Sequence, residues 1–195
     1  LVKEKPELQY FIRTHGGDLY NERHPQGHIP FRNPIYQSAG LIAPISENGK
    51  VYIGKNWPEF ISKVKTYRLG VDGAGMGPIP TSGPFRIVSC SSTQSVKRLD
   101  KIIEVISLIQ HPVEWIQYGG ADKDLISIKK TAQSIFPKYS TFSAPGHISN
   151  SDLLDFYAKH SCDLFINLSL SEGIPVSIME AISFGIPIIS NDVGG

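Results

Sequence analysis

The chain is poor in several things that would make its role easy to name. It has two cysteines in 195 residues, Cys90 and Cys162. They stand far apart, so they form neither a disulfide framework nor a cysteine-rich metal cluster, and such sparse usage suits a reducing compartment. Charge of one sign is lacking too: 19 basic against 18 acidic residues leave a net charge of +1. A protein that grips nucleic acid through bulk positive charge needs a clear excess, so no nucleic-acid partner is expected. No apolar run approaches the roughly 18 residues that mark a membrane span. The opening LVKEKPELQY is charged from the start and does not read as a secretory leader. The opening lacks Met, and the chain stops at NDVGG directly after an apolar run; both ends read as cut.

What is present is a globular composition, 41% apolar and 19% charged, with a strong rhythm in the second half. Phe85–Ser89 reads as a buried strand and Lys97–Ile109 as a helix, with Leu99, Ile102, Ile103, Ile106 and Ile109 on one face. Val113–Tyr118 is a strand and Gly119-Gly120 a turn. Asp122–Phe136 is a helix stopped by Pro137. Tyr139–Ser143 is a strand, and Ala144-Pro145-Gly146 a loop. Ser149 and Asp152 fit a capping box opening a third helix through Leu153 and Tyr157. Asp163–Leu168 is a strand and Ser169–Ile174 a polar loop. Pro175 opens a fourth helix that ends at Gly185, and Ile186–Ser190 is a last strand. This alternation predicts an α/β fold, a doubly wound, Rossmann-like parallel sheet whose ligands bind at the carboxyl edge of the strands.

The first half is less regular. Leu8–Thr14 and Leu41–Ile45 read as strands, Gly49–Phe60 as partly helical, and Lys63–Leu69 as a further strand; residues 20–38 have no clear period. The Gly- and Pro-dense stretch 71–84 reads as a linker. It separates residues 1–70 from a domain at 85–195.

Chemistry concentrates in Leu164–Gly185. The helix 175–184 is apolar around most of its circumference and is expected to be buried. Ser177, Glu180 and Ser183 interrupt it on one stripe. A buried carboxylate needs partners. A ribose diol supplies two hydroxyl donors, whereas the plainer alternative is a core Arg or Lys. The helix start offers free N–H groups that suit a diphosphate, and Glu172 precedes it as a second carboxylate.

The spacing Glu172-Gly-Ile-Pro, then Glu180, Ala181, Gly185 and Pro187, resembles the E-x7-E segment of family 4 of the GT-B glycosyltransferases. Val96–Asp100 (VKRLD) resembles that family's helix start. Tyr118-Gly119-Gly120, Gly146–Asn150 and Asn191–Gly195 follow in the family's order; RTHGGDLY, Pro44–Lys50 and Arg68–Asp72 extend the likeness more weakly into the first half. The resemblance implies a GT-B fold: residues 1–70 as the end of an acceptor-side domain, and 85–195 as an incomplete donor-side domain. It implies transfer of a sugar from a nucleoside-diphosphate sugar to a glycan or lipid-linked acceptor, in surface polysaccharide biosynthesis. Retention of configuration is expected, with no metal and no cofactor besides the donor substrate. Location would be cytoplasmic, with peripheral membrane contact through regions outside the chain.

Residue roles follow from the same resemblance. Glu180 would bind the ribose and Glu172 the transferred sugar, as a catalytic group near the reacting carbon. Gly173, Ile174, Pro175 and Val176 would hold sugar hydroxyls and phosphate. Ile148 would line the base pocket, Lys97 would neutralise the departing diphosphate, and His15 would face the cleft from the acceptor side. One position departs: where the family carries an Arg five residues before that Lys, this chain has Ser92. The departure keeps two alternatives open, a non-catalytic nucleotide-sugar-binding module and a GT-B sugar-nucleotide epimerase. Asp122-x-Asp124 and His24-x3-His28 are weaker metal candidates, read instead as a helix start and a turn.

Overall fold

The structure is a computed structural model that describes residues 9–193. The chain forms two compact units. One holds residues up to Leu69 together with Glu172–Ile174, and the other holds Gly70–Ser171 and Pro175–Val193.

The first unit is built on two parallel strands, β1 (Phe11–Thr14) and β2 (Leu41–Pro44), with Phe11 opposite Leu41 and Thr14 opposite Pro44. Between them run α1 (Gly16–Leu19), a 3-10 turn at Asn21–Arg23 and α2 (Arg32–Ser38). After β2 come α3 (Glu47–Asn56) and a 3-10 turn at Pro58–Lys63. The start of α3 is set locally: Ser46 Oγ accepts the Gly49 N–H at 3.1 Å, a side-chain N-cap. Gly49 also lets the helix approach closely, since a Cβ there would lie 2.9 Å from the Leu19 side chain. Leu19, Tyr36, Ile42, Ile53, Trp57 and Val64 form the core.

Three readings are corrected here. The first strand begins at Phe11, and Leu8 lies outside the described residues. Lys63–Leu69 is not a strand; it makes one isolated parallel bridge, Val64 to Ile42. The aperiodic stretch 20–38 contains α2, whose one-sided pattern is too short to show as a period.

The second unit alternates β3 (Phe85–Cys90), α4 (Leu99–Ser107), β4 (Val113–Tyr118), α5 (Asp122–Ile135), β5 (Thr141–Gly146), α6 (Asn150–Lys159), β6 (Leu164–Asn167), α7 (Val176–Ser183) and β7 (Ile188–Ser190). The strands pair in the order β5-β4-β3-β6-β7, all parallel. Strand side chains alternate faces, and the core splits accordingly. Ile87, Trp115 and Ile166 pack with Leu99, Ile102, Ile103 and Ile106 of α4 and Ala132 of α5. Val88, Ile116 and Phe165 pack with Leu153 and Tyr157 of α6 and with Ala181 and Phe184 at α7. The predicted doubly wound parallel sheet is therefore present.

Its details differ from expectation where backbone chemistry intervenes. Arg98 is left-handed (φ 51°, ψ 45°), so the helix opens at Leu99 and Lys97 ends a preceding 3-10 turn, Ser95–Lys97. Ala144-Pro145-Gly146 is strand rather than loop; a register shift between Ile116 and Tyr118 accommodates it. At α6, Ser149 Oγ accepts the Asp152 N–H at 3.1 Å and donates to Asp152 Oδ2 at 2.6 Å, so the Asp side chain pairs with the Ser hydroxyl. α7 is not wholly buried: Val176 and Ile182 are 43% and 56% exposed. The stretch before Phe85 has no helix or strand, yet it is held down: the Gly77 N–H donates to the Phe184 carbonyl at 2.8 Å, and a Cβ on Gly185 would strike Met76 Sδ at 2.5 Å.

Candidate functional site

The carboxyl edge of the larger sheet is shaped by close backbone approaches. Gly119 and Gly120 both have positive φ, and a Cβ on Gly119 would lie 2.5 Å from the Ser91 carbonyl oxygen. The β3 and β4 loops can therefore touch: the Ser91 N–H donates to the Tyr118 carbonyl and the Gly119 N–H to the Gly146 carbonyl. Beneath them runs a buried polar chain. Trp115 Nε1 donates to Ser89 Oγ at 2.8 Å, Ser89 Oγ to Gln117 Oε1 at 2.5 Å, and Gln117 Nε2 to the Ser91 carbonyl at 3.0 Å. Satisfied networks of this kind rigidify what they hold, here the loop that follows β3.

The loop after β6 is pinned in a similar way. Asn191 Nδ2 donates to the Leu168 and Ser169 carbonyls at 3.0 and 3.1 Å, and Asn167 Oδ1 accepts the Ser169 N–H at 2.9 Å. The Leu170 N–H donates to the Val96 carbonyl at 2.8 Å, which joins this loop to the turn that carries Lys97.

Glu180 sits in α7 with 7% of its surface exposed. Its carboxylate Oε1 accepts a 2.6 Å hydrogen bond from Asn150 Nδ2, at the first position of α6. This partner is a neutral amide and not a core Arg or Lys, and it comes from the helix end beside the carboxyl edge. Cys90, at the end of β3, lies within electrostatic reach; its thiol is pushed up to about 11, first by burial and then by the Glu180 charge. The Tyr157 hydroxyl is fully buried without a hydrogen-bond partner and is raised for the same two kinds of reason: burial, then Cys90, Cys162 and Glu180.

The other predicted residues are placed as follows. Ile148 is half-buried in the loop before α6 and packs against the core that contains Val88 and Tyr157. Pro175 and Val176 are the cap and first residue of α7; Pro175 offers no side-chain oxygen, so no cap bond closes the first turn. Gly173 would carry a Cβ into open space, so crowding does not require a glycine there. Glu172 and Ile174 are half-buried in the same loop. Lys97 is half-buried at the end of its 3-10 turn, and Ser92 is exposed. His15 is exposed in the first unit as the cap of α1, its N–H donating to Asp18 Oδ1 at 2.5 Å.

In the sequence Asn150 stands out only as the end of the Gly146–Asn150 stretch; its pairing with Glu180 spans 30 positions and has no local signature. Of the metal candidates, Asp124 Oδ2 accepts from Thr93 Oγ1 at 2.9 Å, and the His24 and His28 rings lie 6.2 Å apart around Gln26. Among the described residues, no group of three or more His, Cys, Asp or Glu side chains is arranged to hold a metal ion.

Residues 79–195 match the family described as "Glycosyl transferases group 1". The chain belongs to this family. Group 1 relatives include the O-antigen biosynthesis glycosyltransferase WbnH of Escherichia coli, 34% identical over 111 residues, 57% of this chain and 30% of WbnH. Another is the putative teichuronic acid biosynthesis glycosyltransferase TuaC of Bacillus subtilis, 32% identical over 76 residues, 35% of this chain and 20% of TuaC. The chain thus spans a third or less of these curated relatives. Among solved structures, Anabaena Alr3699/HepE in complex with UDP and glucose aligns at a TM-score of 0.71, covering 97% of this chain and 54% of that one at 17% identity. The lipopolysaccharide outer core galactosyltransferase WaaB aligns at 0.66, covering 82% and 45% at 16% identity. These likenesses establish the GT-B fold for this group 1 chain.

Proposed function

We propose that the intact protein transfers a sugar from a nucleoside-diphosphate sugar to a glycan or lipid-linked acceptor in surface polysaccharide biosynthesis, as a family 4 enzyme. The observation that carries this reading is Glu180: a buried carboxylate partnered by a neutral amide beside the ligand-binding edge of the sheet. Its relatives, an O-antigen and a putative teichuronic acid biosynthesis glycosyltransferase, and a structural neighbour in complex with UDP and glucose support the donor and acceptor classes.

In this mechanism Glu180 accepts both ribose hydroxyls, and Ile148 flanks the base. The backbone of Gly173, Ile174, Pro175 and Val176 binds sugar hydroxyls and phosphate, helped by the partial positive charge at the start of α7. Lys97 offsets the charge that develops on the leaving diphosphate, a contact of the kind worth about 2.7–4 kcal/mol in the transition state. Glu172 contacts the transferred sugar beside the reacting carbon, and His15 acts from the acceptor side. Configuration is retained, and neither metal nor cofactor takes part. The proposed place of action is the cytoplasmic face of the membrane. Among the described residues no helix is long and apolar enough to cross a membrane.

Glu180→Gln tests the central role. Donor binding to the intact protein, followed by calorimetry with a panel of nucleotide sugars, should weaken by about 1–3 kcal/mol, the worth of a charged hydrogen bond, while the folded fraction is kept. Unchanged affinity would assign Glu180 to structure alone. Ser92 favours a second reading, a nucleotide-sugar-binding module or an epimerase; donor binding without release of sugar to acceptor or water would select it.

A further inference from the structure

The described residues bury two charged side chains: Glu180 in the second unit and Arg32 in the first. The proposed mechanism has no use for Arg32. It is 8% exposed and tightly held. Nη1 donates to the Tyr36 hydroxyl at 2.8 Å, Nη2 donates to the Leu19 carbonyl at 3.1 Å, and the guanidinium lies over the Tyr36 and Trp57 rings, 5.2 Å from each centroid. Its Nε is buried without a hydrogen-bond partner, and so is Thr14 Oγ1, on a residue 1% exposed. Buried polar atoms are rarely left unpaired without a reason.

Both residues line one cavity of about 180 Å³ in the first unit, together with Asp18, Ile12, Ile29 and Tyr36. Asp18 and Arg32 both border this space, and they act electrostatically on the Tyr36 hydroxyl in opposite directions. Phe31, between the lining residues Pro30 and Arg32, is 77% exposed and held in the left-handed region at φ 59°, a conformation an aromatic L-residue adopts only under constraint.

We infer that this cavity binds one neutral sugar ring, and, resting on the function proposed above, that the ring is the terminal unit of the acceptor glycan. The chemistry favours a polyol over an anion. The pocket offers the unpaired Nε–H of Arg32, the Thr14 hydroxyl, which can donate or accept, and the exposed Asp18 carboxylate, whose Oδ1 also holds the His15 N–H; its charges balance. A carboxylate or phosphate would gain from Arg32 and lose to Asp18. Apolar walls from Ile12, Ile29 and Ile35 suit the C–H face of a pyranose. Arg32 is clamped beforehand, so little order is lost on binding.

Thr14→Val separates this role from packing. It removes an unpaired buried hydroxyl at nearly constant shape, so the melting temperature should hold or rise. Binding of neutral methyl hexosides to the intact protein, read by ligand-observed NMR, should fall at least tenfold, as should transfer to a glycan acceptor. Hydrolysis of the donor by water should be unchanged. The inference is overturned if no methyl hexoside binds the wild-type protein, which leaves water as the occupant, if inorganic phosphate or methyl glucuronide displaces the hexosides, or if Thr14→Val binds as the wild type does. Absence of donor hydrolysis with normal hexoside binding would count against the proposed function and leave the cavity's ligand standing.

Discussion

Glu180 and Cys90 show how one residue's environment sets the behaviour of another. The thiol moves from its ordinary 9.0 to about 11 because burial disfavours the thiolate and the Glu180 charge adds to that. The fold therefore holds the protonated thiol more tightly than the unfolded chain does. By linkage, this stabilisation is fully present below about pH 9 and is lost as pH rises towards 11. Cys162, also raised to about 11 mainly by burial, adds to the same slope. The expected result is a melting temperature that drops across this alkaline window, with Cys90→Ala flattening part of the drop. Thermal melts of both proteins in a buffer series check it. Alkylation at neutral pH should be slow at both cysteines for the same reason.

At the scale of elements, the loops that close the carboxyl edge depend on backbone geometry more than on side chains. Gly119 combines a positive φ of 84° with a 2.5 Å approach to the Ser91 carbonyl. Gly119→Ala meets both obstacles: the left-handed conformation costs about 1–3 kcal/mol, and the neighbour is backbone that cannot rotate away. Urea unfolding should show a loss of at least that size, with weaker donor binding because the β3 loop shifts. A stability within experimental error of wild type would mean that the Gly119 turn can relax. The α4 start makes a related point. VKRLD reads as one helix opening, but Arg98 takes the left-handed conformation and leaves Lys97 on a 3-10 turn. This detaches the Lys97 backbone from α4 and ties it, through Val96 and Leu170, to the loop before α7.

For the whole molecule, the two units have separate cores, one around Tyr36, Ile42 and Trp57 and one divided over the faces of the five-stranded sheet. A fragment beginning at Gly70 should therefore fold by itself. One beginning at Phe85 should be less stable, because it loses the Gly77 hydrogen bond to Phe184 and the Met76 contact at Gly185. Circular dichroism melts of the two fragments compare them directly; equal melting temperatures would show that the Gly/Pro stretch behaves as a free linker.

The sequence by itself determined the second unit's alternation and the parallel sheet that follows from it, because each apolar run and each one-sided helix is a local pattern that only one architecture buries. It also singled out Glu180, since a carboxylate among Val176, Ile178, Ala181 and Ile182 is visible as an anomaly without any partner in view. Tertiary structure alone decided what Glu180 touches, since Asn150 is 30 residues away. It alone decided which apolar positions of α7 stay exposed, because composition around a helix does not say how many neighbours cover it. The cavity they line was likewise silent: Thr14 closes a strand that the sequence shows, Arg32 falls in an aperiodic stretch, and nothing local in either says that both line one space. Local periodicity encodes which face is buried; hydrogen-bond partners are set by contacts distant along the chain, and no window of sequence contains them.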